Sequence, residues 1–221
     1  MNIYHGSKVI TAYPYPKGSN PKNDYGPAFY LTLDLEAAKT WACRNDTVGV
    51  VNKYFIDNRS FNSLKILDLT DKTHYSILNW LAILMHFRQL DNSFKTRNER
   101  VLDWLEKYYI DVDQYDVVIG FRADDAYFRF PILFLENNFP YEELENVYLS
   151  GNLGIQYAFI SKKAIGLLHF EEAIECDESF KGRYYSIIRE ASEHFNKMLS
   201  IPRDETKTYA LDLMRKDNDL R

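Results

Sequence analysis

The chain has 221 residues, 46% hydrophobic and 27% charged, with a net charge of −5. That is the balance of a soluble globular chain able to bury a proper core, as one ordinary domain or a domain with an appendage. Mild acidity argues against a nucleic-acid coat protein, two cysteines against a disulfide framework or four-ligand zinc site, and the lack of an apolar run of roughly 20 residues against a membrane span. The opening Met1-Asn2-Ile3-Tyr4-His5-Gly6 has neither region of a secretory signal, so a cytoplasmic location is expected, with Cys43 and Cys176 as buried thiols. Tyr, Phe and Trp make up 15% of the chain, with tyrosine the most numerous, which supplies core and also surfaces on which flat ligands stack.

In chain order, a short alternating segment over residues 1–10 precedes a polar surface loop from Tyr13 to Tyr25. That loop and its exit hold Pro14, Pro16, Gly18, Pro21 and Gly26. Ala28–Thr32 reads as a strand, and Asp34 can cap a helix carrying Leu35, Ala38 and Trp41 to Cys43. Val48–Ile56 and Leu64–Leu69 are strand candidates. Residues 74–108 carry helical periodicity in two pieces joined by a polar link, Asp91 to Asn98. Val117-Val118-Ile119-Gly120 reads as a buried strand ending at glycine. Pro131 starts a helix, and Pro140 divides it from a second over Tyr141–Leu149. Gly151 and Gly154 bracket a turn before the strand Gln156–Ile160, Ser161 caps a short helix, and Leu167–Cys176 returns as a strand. Beyond Asp177 two amphipathic helices are expected, interrupted at Pro202, with Tyr184, Ile188, Ala191 and Phe195 on one face. Strands mixed with helices, without a βαβ rhythm, give an α+β class.

There is no phosphate-cradling glycine loop, no His-Glu-x-x-His and no Gly-x-Ser-x-Gly. The histidines His5, His74, His86, His169 and His194 have no metal-ligand spacing, so no metal is expected. His86, within an apolar helix, reads as structural. Asp124 and Asp125 suit a turn or cap as well as acid–base work.

Three separated pieces gain meaning together. The first is Tyr4-His5-Gly6-Ser7, where glycine lets a ligand approach the backbone. The second is Asp24-Tyr25-Gly26-Pro27-Ala28-Phe29-Tyr30-Leu31-Thr32, and the third is Gln156-Tyr157-Ala158-Phe159-Ile160. The order His-Gly-Ser, then Gly-x-x-Phe-Tyr-x-Thr with an Ala-bearing helix, then an acid or amide opening a late strand, resembles the ADP-ribosyltransferase superfamily. The similarity is to its His-Tyr-Glu branch, that of the poly-ADP-ribose polymerases and diphtheria-type toxins. The chain is also similar to an uncharacterised bacterial family placed beside it. That likeness includes the stretch Asp116 to Phe128 and spans roughly residues 1–170.

The resemblance implies split, curved β-sheets with peripheral helices and NAD+, as substrate, in the cleft between them. Residues 1–176 would form that domain, with 74–108 a helical insertion over the cleft and 177–221 a C-terminal extension. It implies that Gly6 and Ser7 hold the nicotinamide carboxamide, that His5 bonds a ribose hydroxyl, and that Tyr30 stacks on the ring with Tyr25 as the opposite wall. Gly26, Phe29, Thr32 and Tyr127 are likewise expected among the residues that bind NAD+. The acid of the third motif is replaced by Gln156, an amide that can bond a ribose hydroxyl but carries no charge and takes no proton. This argues against polymer elongation. Asp124 or Asp125 is the expected substitute and Arg122 a pyrophosphate anchor, from their clustering with Tyr127. The implied activity is transfer of one ADP-ribose to a protein or nucleic-acid acceptor, in a toxin or phage-defence setting that can include an antitoxin-like partner. The alternatives are a silent NAD+- or ADP-ribose-binding module and an NAD+ glycohydrolase.

Overall fold

A computed structural model describes residues 1–15, 19–45, 47–125, 127–150 and 154–219. The expected turn residues Pro16, Gly18 and Gly151, Ala126 of the matched stretch, and the end of the C-terminal extension lie outside them. The elements in chain order are β1 (Asn2–Ser7), β2 (Phe29–Leu31), α1 (Leu35–Ala42), β3 (Val50–Phe55), α2 (Asn58–Asn62) and β4 (Ile66–Asp68). Next come α3 (Ile77–Phe87), α4 (Asn92–Arg97), α5 (Glu99–Leu105), β5 (Val117–Phe121), α6 (Arg129–Leu135) and α7 (Tyr141–Ser150). The chain ends with β6 (Ile155–Phe159), α8 (Lys162–Gly166), β7 (His169–Glu175), α9 (Arg183–Leu199) and α10 (Ala210–Asp219). The class is α+β.

Local chemistry sets the boundaries. The Asp34 carboxylate accepts from the N–H groups of Glu36 and Ala37, and the Ser161 hydroxyl from that of Ala164, as N-caps should. Asp91 does the same for Phe94 at 2.8 Å, and Phe94 is buried, so the polar link expected at 91–98 is itself the short helix α4. α6 starts at Arg129, two residues ahead of Pro131, which still sits in the first turn where no N–H partner is needed.

Two open sheets result. In the first, β1, β3 and β7 are antiparallel in the order β1-β3-β7. In the second, ordered β2-β6-β5-β4, only β4 and β5 run parallel. Val117, Ile119 and Phe159 pack with Ile3 and Tyr54 between the sheets, whereas Val118 and Ala158 face α3 on the opposite side. Both faces of the second sheet are covered, which is why its strands read as continuous apolar runs rather than alternating ones.

α3 is apolar all round and eight of its 11 residues are buried, so its place is the main core. Within the segment 74–108, α3 is therefore core rather than a cover, while Arg88 just past its end borders the main cleft. The Trp80 indole N–H donates to the Phe121 carbonyl at 3.2 Å from inside that core. His86 is exposed and stacks on Tyr109. α9 buries Ala191 and Phe195 in the same core, and α10 buries Ala210 and Met214. Cys43 and Cys176, 133 positions apart in sequence, meet in one small cluster under α1, where burial and the neighbouring thiol push Cys176 up to about 12. Among the described residues no helix is long and apolar enough to cross a membrane.

Candidate functional site

The two sheets touch at one point on their strand edges. Tyr4 of β1 and Thr32, just past β2, exchange both backbone hydrogen bonds, at 2.8 and 2.9 Å. Beyond this bridge β2 turns away into α1, and a cleft of about 770 Å³ opens. His5, Gly6, Phe29, Tyr30, Thr32, Arg122, Asp124, Asp125 and Gln156 all border it. Residues from positions 5, 30, 122 and 156 thus share one concavity.

His5 is held from two sides. Its Nδ1 lies 2.8 Å from the Tyr30 carbonyl, and its ring packs 4.5 Å from that of Phe29. A carbonyl only accepts, so Nδ1 carries the proton and Nε2 of the neutral ring is an acceptor. Burial pushes the His5 pKa down, and the nearby Arg122 and Arg44 push the same way against the Tyr30 carbonyl. The imidazole is therefore neutral at pH 7.

Gly6 is a glycine for a packing reason. A Cβ there would stand 2.0 Å from the Ala38 carbonyl oxygen of α1, so the helix lies directly on the strand. Its backbone nevertheless serves the cleft. Tyr4 directs its N–H and C=O to Thr32, away from β3, and the antiparallel alternation turns those of Gly6 the same way.

Tyr30 is fixed at its far end, donating its hydroxyl to the Gly26 carbonyl at 2.6 Å and accepting the Tyr25 N–H at 3.1 Å. Burial pushes its pKa upward, so the phenol stays protonated and the ring is a rigid wall.

Four expected site residues do not reach the cleft. The Ser7 hydroxyl closes the turn after β1, bonding Val9 and accepting the Asn52 amide at 3.2 Å. Tyr25 is no wall of a slot: it lies under Gly120, is 1% exposed, and donates to the Phe121 carbonyl at 2.7 Å. Gly26 sits at φ +72° against the Phe87 ring. Tyr127 packs with Phe130 and Tyr148 in the aromatic core.

Gln156 is buried, and its Nε2 donates to Asp24 Oδ2 at 2.8 Å and to the Phe121 carbonyl at 3.2 Å. The carboxylate beside the amide is therefore Asp24, not Asp124 or Asp125. Asp24 is itself buried, accepting from Arg88 Nε at 3.0 Å, Arg88 Nη2 at 2.8 Å and the Ala123 N–H at 2.9 Å. Burial pushes its carboxyl above the ordinary value, against the pull of Arg88, the Ala123 N–H and Gln156. Asp125 is exposed and shares Arg88 at 3.1 Å. Asp124 is buried, accepting the Tyr184 hydroxyl of α9 at 2.7 Å, with its Oδ2 lacking a hydrogen-bond partner among the described residues.

Two arginines also border the cleft. Arg44 and Arg122 lie over the Trp41 indole at 3.9 and 3.8 Å. Among the described residues neither makes a salt bridge; Asp124 acts on both only from a distance. Burial pushes both guanidinium pKa values down, as expected for cations partly stripped of water.

The model of a family described as Protein of unknown function (DUF3990) matches residues 1–170. The chain belongs to that family. No curated protein and no solved structure matches it. The match ends within β7, so α9 with Tyr184 adds to the DUF3990 cleft from beyond the matched region.

Sequence reasoning missed Asp24, Arg44, Arg88, Asn52 and Tyr184. Asn52 had a visible signal, a lone amide in the apolar run of β3. Buried at 0% exposure, it receives the Thr11 N–H and donates toward Ser7 and the carbonyls of His5 and Val9, tying down the loop after β1. Asp24 stood inside the second motif, but its partners Arg88 and Gln156 are 64 and 132 positions away.

Proposed function

We propose that this protein is an NAD+-dependent mono-ADP-ribosyltransferase acting on a macromolecular acceptor, with an ADP-ribosyltransferase-like arrangement of two split sheets. The observation that carries this reading is the meeting of His5, Tyr30 and Gln156, with the outward backbone edge of Gly6, around a single cleft also bordered by Arg44 and Arg122, which make no salt bridge among the described residues. Each feature answers a need of NAD+. The Gly6 N–H and C=O match the C=O and N–H of a planar carboxamide, and the immobilised Tyr30 ring offers a stacking face for nicotinamide. His5 Nε2 is an acceptor for a ribose hydroxyl. Arg122 and Arg44 suit the pyrophosphate, whose oxygens guanidinium groups bond well.

In the reaction the ribose C1′–N bond breaks and its electron pair leaves with nicotinamide. The oxocarbenium-like carbon then takes an electron pair from the acceptor, whose proton passes to solvent. Electrostatic stabilisation of that carbon is worth about 3 kcal/mol, a hundredfold or more in rate, for one well-placed group. The neutral Gln156 amide favours transfer of a single unit over polymer growth. It also supports a second reading, a silent NAD+- or ADP-ribose-binding module.

One experiment separates the readings. Purified protein is incubated with NAD+, with and without cell lysate, and free nicotinamide is followed. Release that requires lysate is expected for transfer. Release without lysate would make the protein a glycohydrolase, and binding without release would make it the silent module. His5→Ala and Tyr30→Ala are each expected to abolish release; wild-type rates in both would refute the site.

A further inference from the structure

We propose that Asp24 supplies the negative charge of this site and acts through Gln156, the acid of the third motif having moved from the late strand to the loop before β2. The inference rests on the ADP-ribosyl transfer reading and identifies a positioning residue for it.

Two observations carry it. The first is the amide's orientation. Asp24 Oδ2 and the Phe121 carbonyl only accept, so the atom of Gln156 that lies 2.8 and 3.2 Å from them must be Nε2. With Nε2 fixed there, the other polar atom of Gln156 is Oε1, an acceptor like the carboxylate oxygen it replaces. A carboxylate accepting the amide N–H also polarises the amide, drawing negative charge onto Oε1.

The second is the surroundings of Asp24. Among the described residues its neighbours at hydrogen-bond distance, two Arg88 nitrogens, the Ala123 N–H and Gln156 Nε2, are all donors. An ionised carboxylate satisfies every one of them, whereas a protonated one would point its hydrogen at a donor. Arg88 does not cancel this charge, because it also bonds Asp125 and the Ala123 carbonyl. Asp24, Arg88 and Asp125 together keep one net negative charge beside Gln156, which Arg122 feels from a distance.

The consequence is that Gln156→Glu, which restores the motif, should harm the protein. It sets two carboxylates in hydrogen-bond contact, and one must then hold a proton. The groups facing the pair are Arg88, Asp125 through Arg88, Arg122 from farther off, and the hydroxyls of Tyr25, Tyr30 and Tyr148. Burial pushes all three phenols upward, out of the working range. His5 titrates in every variant alike and drops out of the comparison.

The test uses the full chain as wild type, Asp24→Asn, Gln156→Glu and the double exchange. Melting temperature is measured from pH 5 to 8, and kcat and KM by nicotinamide release from NAD+. Gln156→Glu is expected to lower kcat about 10–100-fold with little change in KM, the usual loss when a supporting partner is disturbed. Its melting temperature should fall further below wild type as pH rises. The double exchange, which keeps one charge and one amide, should lose that pH dependence and recover about tenfold in kcat over Gln156→Glu. If Asp24→Asn does not fold, the double exchange against Gln156→Glu carries the comparison. Wild-type kcat in Asp24→Asn, or a Gln156→Glu protein more active than wild type with a parallel melting profile, overturns the proposal. If wild type releases no nicotinamide, the transferase reading fails separately, and the melting cycle still decides: purely additive changes would show that the two residues are not coupled.

Discussion

Removing either arginine from the Trp41 stack should weaken anion binding while leaving the fold intact, the reverse of what a structural cation does. Arg44 and Arg122 lie 3.9 and 3.8 Å from the indole centroid and make no salt bridge among the described residues. Their loss therefore breaks no direct ion pair, and buried Asp124 loses only a counter-charge that acts from a distance. Each stack is worth about 0.5–2 kcal/mol, offset in part by relief of the repulsion between the two guanidiniums. At about 2–4 °C per kcal/mol for a chain of this size, Arg122→Ala should move the melting temperature by only about 4 °C. A charge-assisted hydrogen bond to a phosphate oxygen contributes about 1.5–3 kcal/mol, which is roughly a 10–150-fold change in Kd. Calorimetric titration with ADP-ribose, at low and at moderate salt, measures it. The alanine variants should bind 10-fold or more weakly and with less salt dependence than wild type. Arg→Lys at either position, which keeps the charge but loses the planar stack and fork, should fall between. Binding within about twofold of wild type in both alanine variants would refute the reasoning, as would a collapse in stability at unchanged affinity.

Gly6→Ala should destabilise through overpacking, since its Cβ would lie 2.0 Å from the Ala38 carbonyl oxygen and 3.0 Å from the Ala42 nitrogen, backbone atoms that cannot yield without moving α1. About 3 kcal/mol is expected, the upper part of the usual overpacking range, and thermal unfolding should show a drop of roughly 6–12 °C; a change under 2 °C would place the helix farther from the strand than described. His5 makes stability depend on pH. Its folded pKa is depressed by burial, so the unfolded chain binds the extra proton and stability rises with pH through the unfolded value near 6.5. The melting temperature should fall between pH 7 and 5.5 in wild type and stay flatter in His5→Asn, and parallel curves would count against a buried neutral imidazole.

Much of the fold was legible because local chemistry determined it. Asp34 and Ser161 cap the helices they were expected to cap, and the strands at β2, β3, β5, β6 and β7 lie within one or two residues of their apolar runs. What misled was the place of elements rather than their kind. α3 has helical periodicity whether it covers a cleft or fills a core, and only its apolar residues all round mark it as core. At the site, side chains with motif spacing were visible, but what each one does depends on groups far off in sequence. Ser7 follows His5-Gly6 as the resemblance asks, yet Asn52 from the neighbouring strand takes its hydroxyl. Tyr25 precedes Gly26 as a slot wall would, yet Gly120 leaves the room that draws it into the core.

The split between the sheets accounts for why the site stands where it does. A strand edge left unpaired is a hazard, since its free N–H and C=O groups invite another chain. β1 meets that hazard by pairing once, Tyr4 to Thr32, and then keeping its next outward-facing residue inside a cleft. Gly6 has no side chain to fill the space, because α1 lies against its Cα, so the backbone itself is the surface offered. On the proposed reading, the flat amide of nicotinamide would complete there the ladder that β2 abandons when it turns into α1. His5, one residue earlier, aims at β2 through Tyr30's carbonyl, so the same departure of the chain sets the imidazole and the open backbone edge side by side. The proposed recognition of a planar amide beside a hydroxyl-bearing ring would therefore follow from a single topological event, the point at which two strands stop pairing, and the residues around it need only keep that point from closing.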